Sequence, residues 1–251
     1  MKTATVEFVS YEVSVRESFD KIGAAEVLSK QSEILVKPNL TNGSPHPVTT
    51  PPDCCEAVIQ YIRGCSDADI VVAEGCGDPM FETGEIFERL GYREMADRCG
   101  VRLIDLNMLP ATKYENPECS VFREMYLPDI MFSKFVISVP VLKAHSLSSI
   151  TGTLKNMMGF APPKHYSGSG GIWKKAVFHH NMHRSIIELN RYKTPDLSVM
   201  DATIGLADYH LGGPRCDPPA GKIISGFDAL AVDRKAAELL GLNWKEIPHL
   251  N

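Results

Sequence analysis

Phe135-Val136-Ile137-Ser138-Val139-Pro140-Val141-Leu142-Lys143-Ala144-His145 is a run of β-branched and apolar residues that ends in a lysine and a histidine. A short, near-continuous apolar run is what a strand buried on both faces looks like, as in a parallel sheet. Five further runs punctuate the chain: Ile34-Leu35-Val36, Ile70-Val71-Val72-Ala73, Val101-Arg102-Leu103-Ile104, Leu197-Ser198-Val199-Met200 and Ile223-Ile224. Thr3 to Val9 alternates more and reads as an edge strand. Helical patterns fill the gaps. Cys54 to Arg63 follows Pro51-Pro52-Asp53, a helix start with proline near its first turn. Thr83 to Leu90 stops at Gly91. His180 to Tyr192 places Met182, Ile186 and Leu189 at helical spacing. Asp228 to Leu240 turns Leu230, Ala237 and Leu240 inward and stops at Gly241. Strands alternating with helices predict an α/β fold: a doubly wound, mostly parallel sheet with helices on both faces and long loops at the strand C-terminal edge.

The 251 residues suit one α/β domain spanning 1–251. The irregular segment from about Asn107 to Ser133 is a candidate small cap or subdomain. Thr41 to Pro51, Phe160 to Gly171 and Gly205 to Gly221 are long loops rich in Gly and Pro, and such loops are usually functional or disordered. The net charge is −5 with acidic and basic residues interspersed, which argues against a nucleic-acid footprint. No apolar run approaches the ~20 residues that span a bilayer, and Met1 to Ser10 has no secretory h-region. A membrane partner is therefore not expected. The seven cysteines are scattered without a C-x-x-C. A disulfide framework, a zinc ribbon and an iron–sulfur cluster are not expected, and a reducing cytoplasm is.

In an open parallel sheet, ligands bind beyond the carboxyl ends of the strands. The residues after each apolar run are therefore informative. They are Lys37-Pro38-Asn39, then Glu74-Gly75-Cys76-Gly77-Asp78, then Asp105 and Asn107, then Lys143 and His145, then Asp201, and finally Asp228. Lys37 precedes a proline, which favours an extended backbone and continues the strand. Its side chain then faces either the pocket or bulk water. The stretch from Lys143 to Gly159 adds Lys155 and Asn156, and Thr151 or Thr153 could cap a short helix whose N–H groups favour an anion. The alternative is a capped helix with surface lysines. Arg215, on the turn Gly212-Gly213-Pro214-Arg215, could hold a carboxylate in bidentate fashion or lie on a plain surface turn. Asp201, Asp228 and Asp233 are candidate bases, metal ligands or lysine partners, and Asp228 equally suits the N-cap of the last helix. Cys76, between two glycines, is either a reactive thiol or a buried inert one.

A second cluster is His179, His180 and His183, whose spacings put either His179 or His180 on one helix face with His183. Together with His165 these imidazoles could hold a divalent transition metal; a polar helix start is the plainer reading.

Several of these blocks occur together in a known family. Val36-Lys37-Pro38-Asn39-Leu40, Thr49-Thr50-Pro51-Pro52, Val72-Ala73-Glu74-Gly75, Pro140 to His145, Thr151 to Gly159 and Asp228 to Asp233 closely resemble the family called domain of unknown function 362. The resemblance runs along nearly the whole chain, and the K-x-H…G-x-L-K-N-x-x-G block is its most specific part. Many members carry a ferredoxin-type iron–sulfur module, whose cysteines this chain lacks. More faintly, the spacing of His145 and Lys155, with Thr83-Gly84-Glu85-Ile86 and Leu90-Gly91, is similar to a segment of the nickel-dependent lactate racemase family. There a lysine holds a nickel-pincer nucleotide and histidines serve the metal or act as bases. Gly152 stands alone where that family has paired glycines, so the resemblance implies shared architecture.

The expected function is an enzyme acting on a small carboxylate or phosphate compound by isomerase-like or other acid/base chemistry. Lys37, Asn39, Glu74, Lys143, Asn156, Arg215 and Asp228 would bind the anion. His145, Lys155 and Asp201 would form the catalytic set, with His145 as the acid/base, Asp201 or Asp228 orienting it, and a desolvated lysine able to act chemically. The alternatives are a metal-dependent site on His165, His179, His180 and His183, and a non-catalytic accessory module for a redox partner.

Overall fold

All six apolar runs form strands, and all four periodic segments form helices. The computed structural model describes residues 3–168 and 172–251. In chain order the elements are β1 (Thr3–Glu7), α1 (Tyr11–Ile22), α2 (Ala24–Leu28), β2 (Glu33–Pro38), α3 (Pro52–Arg63) and β3 (Asp69–Glu74). They continue as α4 (Thr83–Arg89), α5 (Tyr92–Cys99), β4 (Arg102–Asp105), β5 (Thr112–Glu115), β6 (Glu124–Leu127), α6 (Ile130–Ser133) and β7 (Phe135–Val139). The last are β8 (Val141–His145), β9 (Ser149–Thr151), α7 (Thr153–Asn156), α8 (Pro163–Tyr166), α9 (Met182–Tyr192), β10 (Leu197–Leu206), β11 (Lys222–Gly226) and α10 (Ala229–Leu239).

The main sheet runs β1-β11-β10-β7-β2-β3-β4. Its centre, β10, β7, β2, β3 and β4, is parallel. Successive residues of each strand face opposite layers. Leu35, Val71, Val136, Met200 and Ile224 pack with Ile186 and Leu189 of α9 and Val232 and Ala236 of α10. Ile34, Val36, Val72, Ile137, Val199 and Ile223 pack with Val15 and Phe19 of α1, Val58 and Ile62 of α3 and Met95 of α5. Two apolar layers on one sheet explain why its strands read as continuous apolar runs. The fold is α/β with helices on both faces, as the alternation predicts, and β1 is an edge strand, with β4 at the other end.

One strand departs from the expectation. β11 runs antiparallel to β10 and to β1. Asp228 therefore emerges at the opposite edge from Lys37 and Glu74, where its side chain caps α10 by accepting from Ala231 N at 3.1 Å. The antiparallel turn follows from the link between β10 and β11, which has no helix to carry the chain back across the sheet.

Pro140 separates β7 from β8 because it has no N–H for the ladder. β8 continues along the second half of β10 and folds back as β9, pairing Lys143 with Thr151 and His145 with Ser149. This hairpin lifts Lys143 and His145 past the parallel centre of the sheet. Of the predicted loops, the one from Phe160 to Gly171 contains α8, and its residues 169–171 lie outside the described residues. Among the described residues no helix is long and apolar enough to cross a membrane.

Within the segment from Asn107 to Ser133, β5 and β6 form their own antiparallel pair. Met125, Leu127 and Met131 join the layer that contains α9. The segment is tied to α9 by a buried carboxylate. Glu188 accepts from the backbone N–H groups of Ser120 at 2.8 Å, Val121 at 2.9 Å and Phe122 at 2.7 Å, and from Arg184 Nε at 2.7 Å. Burial alone would raise this carboxyl; the donors outweigh it and hold it down to about 2. Glu188→Gln should destabilise the fold by about 1–3 kcal/mol in urea unfolding, because donors are left short of acceptors. The contribution is complete above the ordinary glutamate value of 4.5 and is lost as pH falls towards about 2. An unchanged unfolding midpoint across that acid range would contradict the assignment.

Candidate functional site

Lys37 and Glu74 close the neighbouring strands β2 and β3, which pair in parallel register. Lys37 is two residues beyond Leu35 and faces the same layer. Its Nζ donates to Glu74 Oε1 at 2.7 Å, Asn156 Oδ1 at 3.2 Å and Pro38 O at 3.2 Å, which uses all three protons. Glu74 also accepts from Leu40 N at 3.0 Å and Gly75 N at 2.8 Å. Burial pushes the Lys37 ammonium down and the Glu74 carboxylate pulls it back up. A Cβ on Gly159 would lie 2.2 Å from Glu74 Oε1 and 2.4 Å from Lys37 Nζ, so only glycine fits where that chain crosses the pair.

Two more buried lysines surround the pair. Lys143 Nζ donates to Asn39 Oδ1 at 2.8 Å and Val48 O at 2.6 Å. Burial, then the nearby Lys155 charge, pulls it down to about 7. Lys175 Nζ donates to Gly75 O at 2.7 Å, Gly159 O at 2.8 Å and Met158 O at 3.2 Å. Burial takes it to about 7 as well. Both have only neutral oxygens as partners. Lys155, which together with Lys175 lines a cavity of about 250 Å³, is lowered by burial to about 8, and no neighbouring carboxylate offsets that.

The cavity lies at the C-terminal ends of β2, β3 and β8, as the parallel-sheet argument predicts. Asn39, Glu74, His145, Lys155, Asn156 and His179 all line it. His145 Nδ1 accepts from Leu147 N at 3.0 Å, so the neutral ring carries its proton on Nε2. The ring stacks on His210 with centroids 3.7 Å apart. Burial, followed by the Lys155 charge, keeps His145 well below the usual histidine range. The same two causes bring His210 to about 3 and lower His179. Among the lining residues Glu74 is the sole carboxylate, and Lys37 already neutralises it.

Other expected site residues lie elsewhere. Asp201 is fully buried within β10, accepts from Tyr11 OH at 2.9 Å and Thr203 N at 2.9 Å, and lies 3.2 Å from His46 Nε2. It does not line the cavity, so it does not orient His145. β10 runs on past the apolar stretch to Leu206, which leaves Asp201 in mid-strand. Arg215 is exposed and off the cavity. Asp228 caps α10. The helix N-terminus expected to favour an anion is already filled by the chain. Asp233 accepts from Thr153 N at 2.6 Å and Leu154 N at 3.0 Å. A Cβ on Gly152 would lie 2.4 Å from that carboxylate.

The histidine cluster is dispersed. His165 stacks on Tyr126 with centroids 4.2 Å apart. His183 Nδ1 meets His249 Nδ1 at 2.8 Å, and His180 is exposed. The helix begins at Met182 rather than His180, with 3-10 turns before it, and this alters the spacing that would have aligned the rings. Among the described residues no group of three or more His, Cys, Asp or Glu could hold a metal ion. Cys76 is buried and burial raises its thiol, as in the inert reading.

Sequence reasoning missed Lys175 and His210. Both come from connections without periodicity, although His210 lies in the long loop from Gly205 to Gly221 that its composition singled out. Glu74→Gln should cost about 3–5 kcal/mol in equilibrium unfolding, because it strands the Lys37 charge in a dry interior. A loss below about 1 kcal/mol would show that water reaches Lys37.

Comparison with known proteins agrees with the sequence blocks. The family model described as Domain of unknown function (DUF362) matches residues 34–238. A Thylakoid-associated protein of Synechocystis sp. is 23% identical over 262 residues, covering 99% of this chain and 75% of that protein.

Proposed function

Because the chain belongs to the family Domain of unknown function (DUF362), its activity must be reasoned from the site, and we propose that it is an enzyme that binds a small carboxylate or phosphate compound at the β2, β3 and β8 ends. One observation carries the reading. The cavity gathers Lys155, Lys175 and three imidazoles, while its single lining carboxylate is spent on Lys37. A ligand anion would supply the negative charge that Lys143, Lys155 and Lys175 lack, in a partly buried site where charge-assisted hydrogen bonds are stronger than in water.

The roles follow from the partners each group already has. Lys37 and Lys175 each spend three donors on the protein and Lys143 spends two, and all three hold the walls. Lys155 is free to meet the anion. His145 is held neutral and offers its Nε2 proton, so it acts as a donor in the resting site. Lys155, at about 8, exchanges its proton readily near neutral pH, which suits acid/base catalysis. Asp201 has no part in this scheme.

Calorimetric titration with inorganic phosphate, acetate and pyruvate tests the reading. Saturable binding is expected, weakened about tenfold or more in Lys155→Ala, since a hydrogen bond to a charged group is worth about 1.5–3 kcal/mol. Affinity for pyruvate, which stays ionised, should hold at mildly acidic pH. It should fall as pH rises through about 7 and then about 8, where Lys175 and Lys155 lose the protons that attract the anion. No saturable binding to any of these anions, or affinity that rises over that range, would refute it.

A further inference from the structure

We infer that the ligand of this pocket is amphipathic: an anionic head seated among Lys155 and the imidazoles, and an apolar, aryl-sized body that reaches the rim. The inference rests on the anion-binding reading and adds the chemistry of the rest of the molecule. The first observation is size. At about 250 Å³ the cavity is far larger than a phosphate or acetate, and it approaches the ~300–1,000 Å³ of pockets that hold drug-sized molecules.

The second observation is how its walls divide. His145 and Lys175 lie deepest, both only 7% exposed, while Lys155 and His210 are half-buried and His179 is exposed. The large apolar side chains of the wall are Leu147, Met158, Trp173, Met182, Tyr209 and Leu211, with Thr41, Ser146 and backbone between them. Met158 and Met182 are buried beside the polar floor and can adapt to an irregular apolar body. Leu147 and Tyr209 stand 47% and 44% exposed. Large apolar side chains left open at the mouth of a charged pocket keep apolar surface that a ligand can cover.

The third observation is the stacked pair His145 and His210. Tyr209 continues it, with its ring 4.8 Å from His210 and edge-on. The stacked faces of His145 and His210 cover each other, so this row presents ring edges along the cavity wall, against which an aryl body can pack. A bare anion would touch only the inner end of the row.

The test compares heads with and without a body: phosphate against phenylphosphate, and acetate against 3-phenylpropanoate, by calorimetry on the wild type and on Leu147→Ser and Tyr209→Ser. The rim side chains are partly exposed, so both variants should fold, and thermal melting checks this. The aryl compound should bind about tenfold or more tighter than its bare head, the gain expected from burying a ring. That ratio should shrink in both variants, and the pair of heads shows whether carboxylate or phosphate is preferred. Equal affinity with and without the ring overturns the inference and leaves the anion-binding reading intact. An aryl advantage that neither variant reduces also overturns it. No binding by any of the four compounds overturns both.

Discussion

Lys37 and Glu74 meet at 2.7 Å with essentially no water in reach. Burying two charges is costly, and their attraction repays the cost only when every remaining donor and acceptor is satisfied. Here each is. Asn156 and the Pro38 carbonyl take the other Lys37 protons, and the Leu40 and Gly75 N–H groups take the other Glu74 lone pairs. The pair therefore fixes four chain segments at once: the exits of β2 and β3, the short helix α7, and the crossing at Gly159. A pair of this kind adds little to net stability compared with an apolar replacement, but it holds its surroundings in one arrangement.

That arrangement sets the electrostatics of the cavity. With Glu74 committed to Lys37, the other lysines face only amide and carbonyl oxygens. Each is held near its titration point by burial, and the neighbouring imidazoles are forced neutral. The pocket is thus preorganised for a negative group, and the energy that crowds the cations together is returned when one binds. Asp233 shows the complementary solution nearby. It fills the N-terminus of α7 with the chain's own carboxylate, so the helix end is unavailable and the ligand must be met by side chains.

Much of this was legible in the residues, and the reasons are specific. Parallel central strands bury both faces, so their apolar runs stood out, and the strand-end rule then brought Lys37, Glu74, Lys143 and His145 to one place. The rule failed at Asp228 because β11 reverses direction, and strand polarity leaves no mark on a two-residue apolar run. It failed at Asp201 because β10 outlasts its apolar stretch. Helix α1 escaped notice because Ser14 and Ser18 sit on its buried face, where Ser18 shares a hydrogen bond of 2.8 Å with Ser225; a core made partly of serines blurs the 3.6-residue period. His179, His180 and His183 looked like ligands only on the assumption of one regular helix, with His165 joining them from elsewhere in the chain. Lys175 and His210 arrive from connections whose paths are set by tertiary packing, and no local pattern announces them.

The claim at the centre is that the polar floor of this cavity is an anion site. A crystal soaked in selenate tests it most directly, since the anomalous signal places the ion without reference to any assay. The account predicts a peak inside the cavity, within hydrogen-bond distance of Lys155 Nζ and of His145 Nε2, that is absent in Lys155→Ala crystals. Selenate peaks confined to surface lysines and arginines, with the cavity holding none, would contradict it.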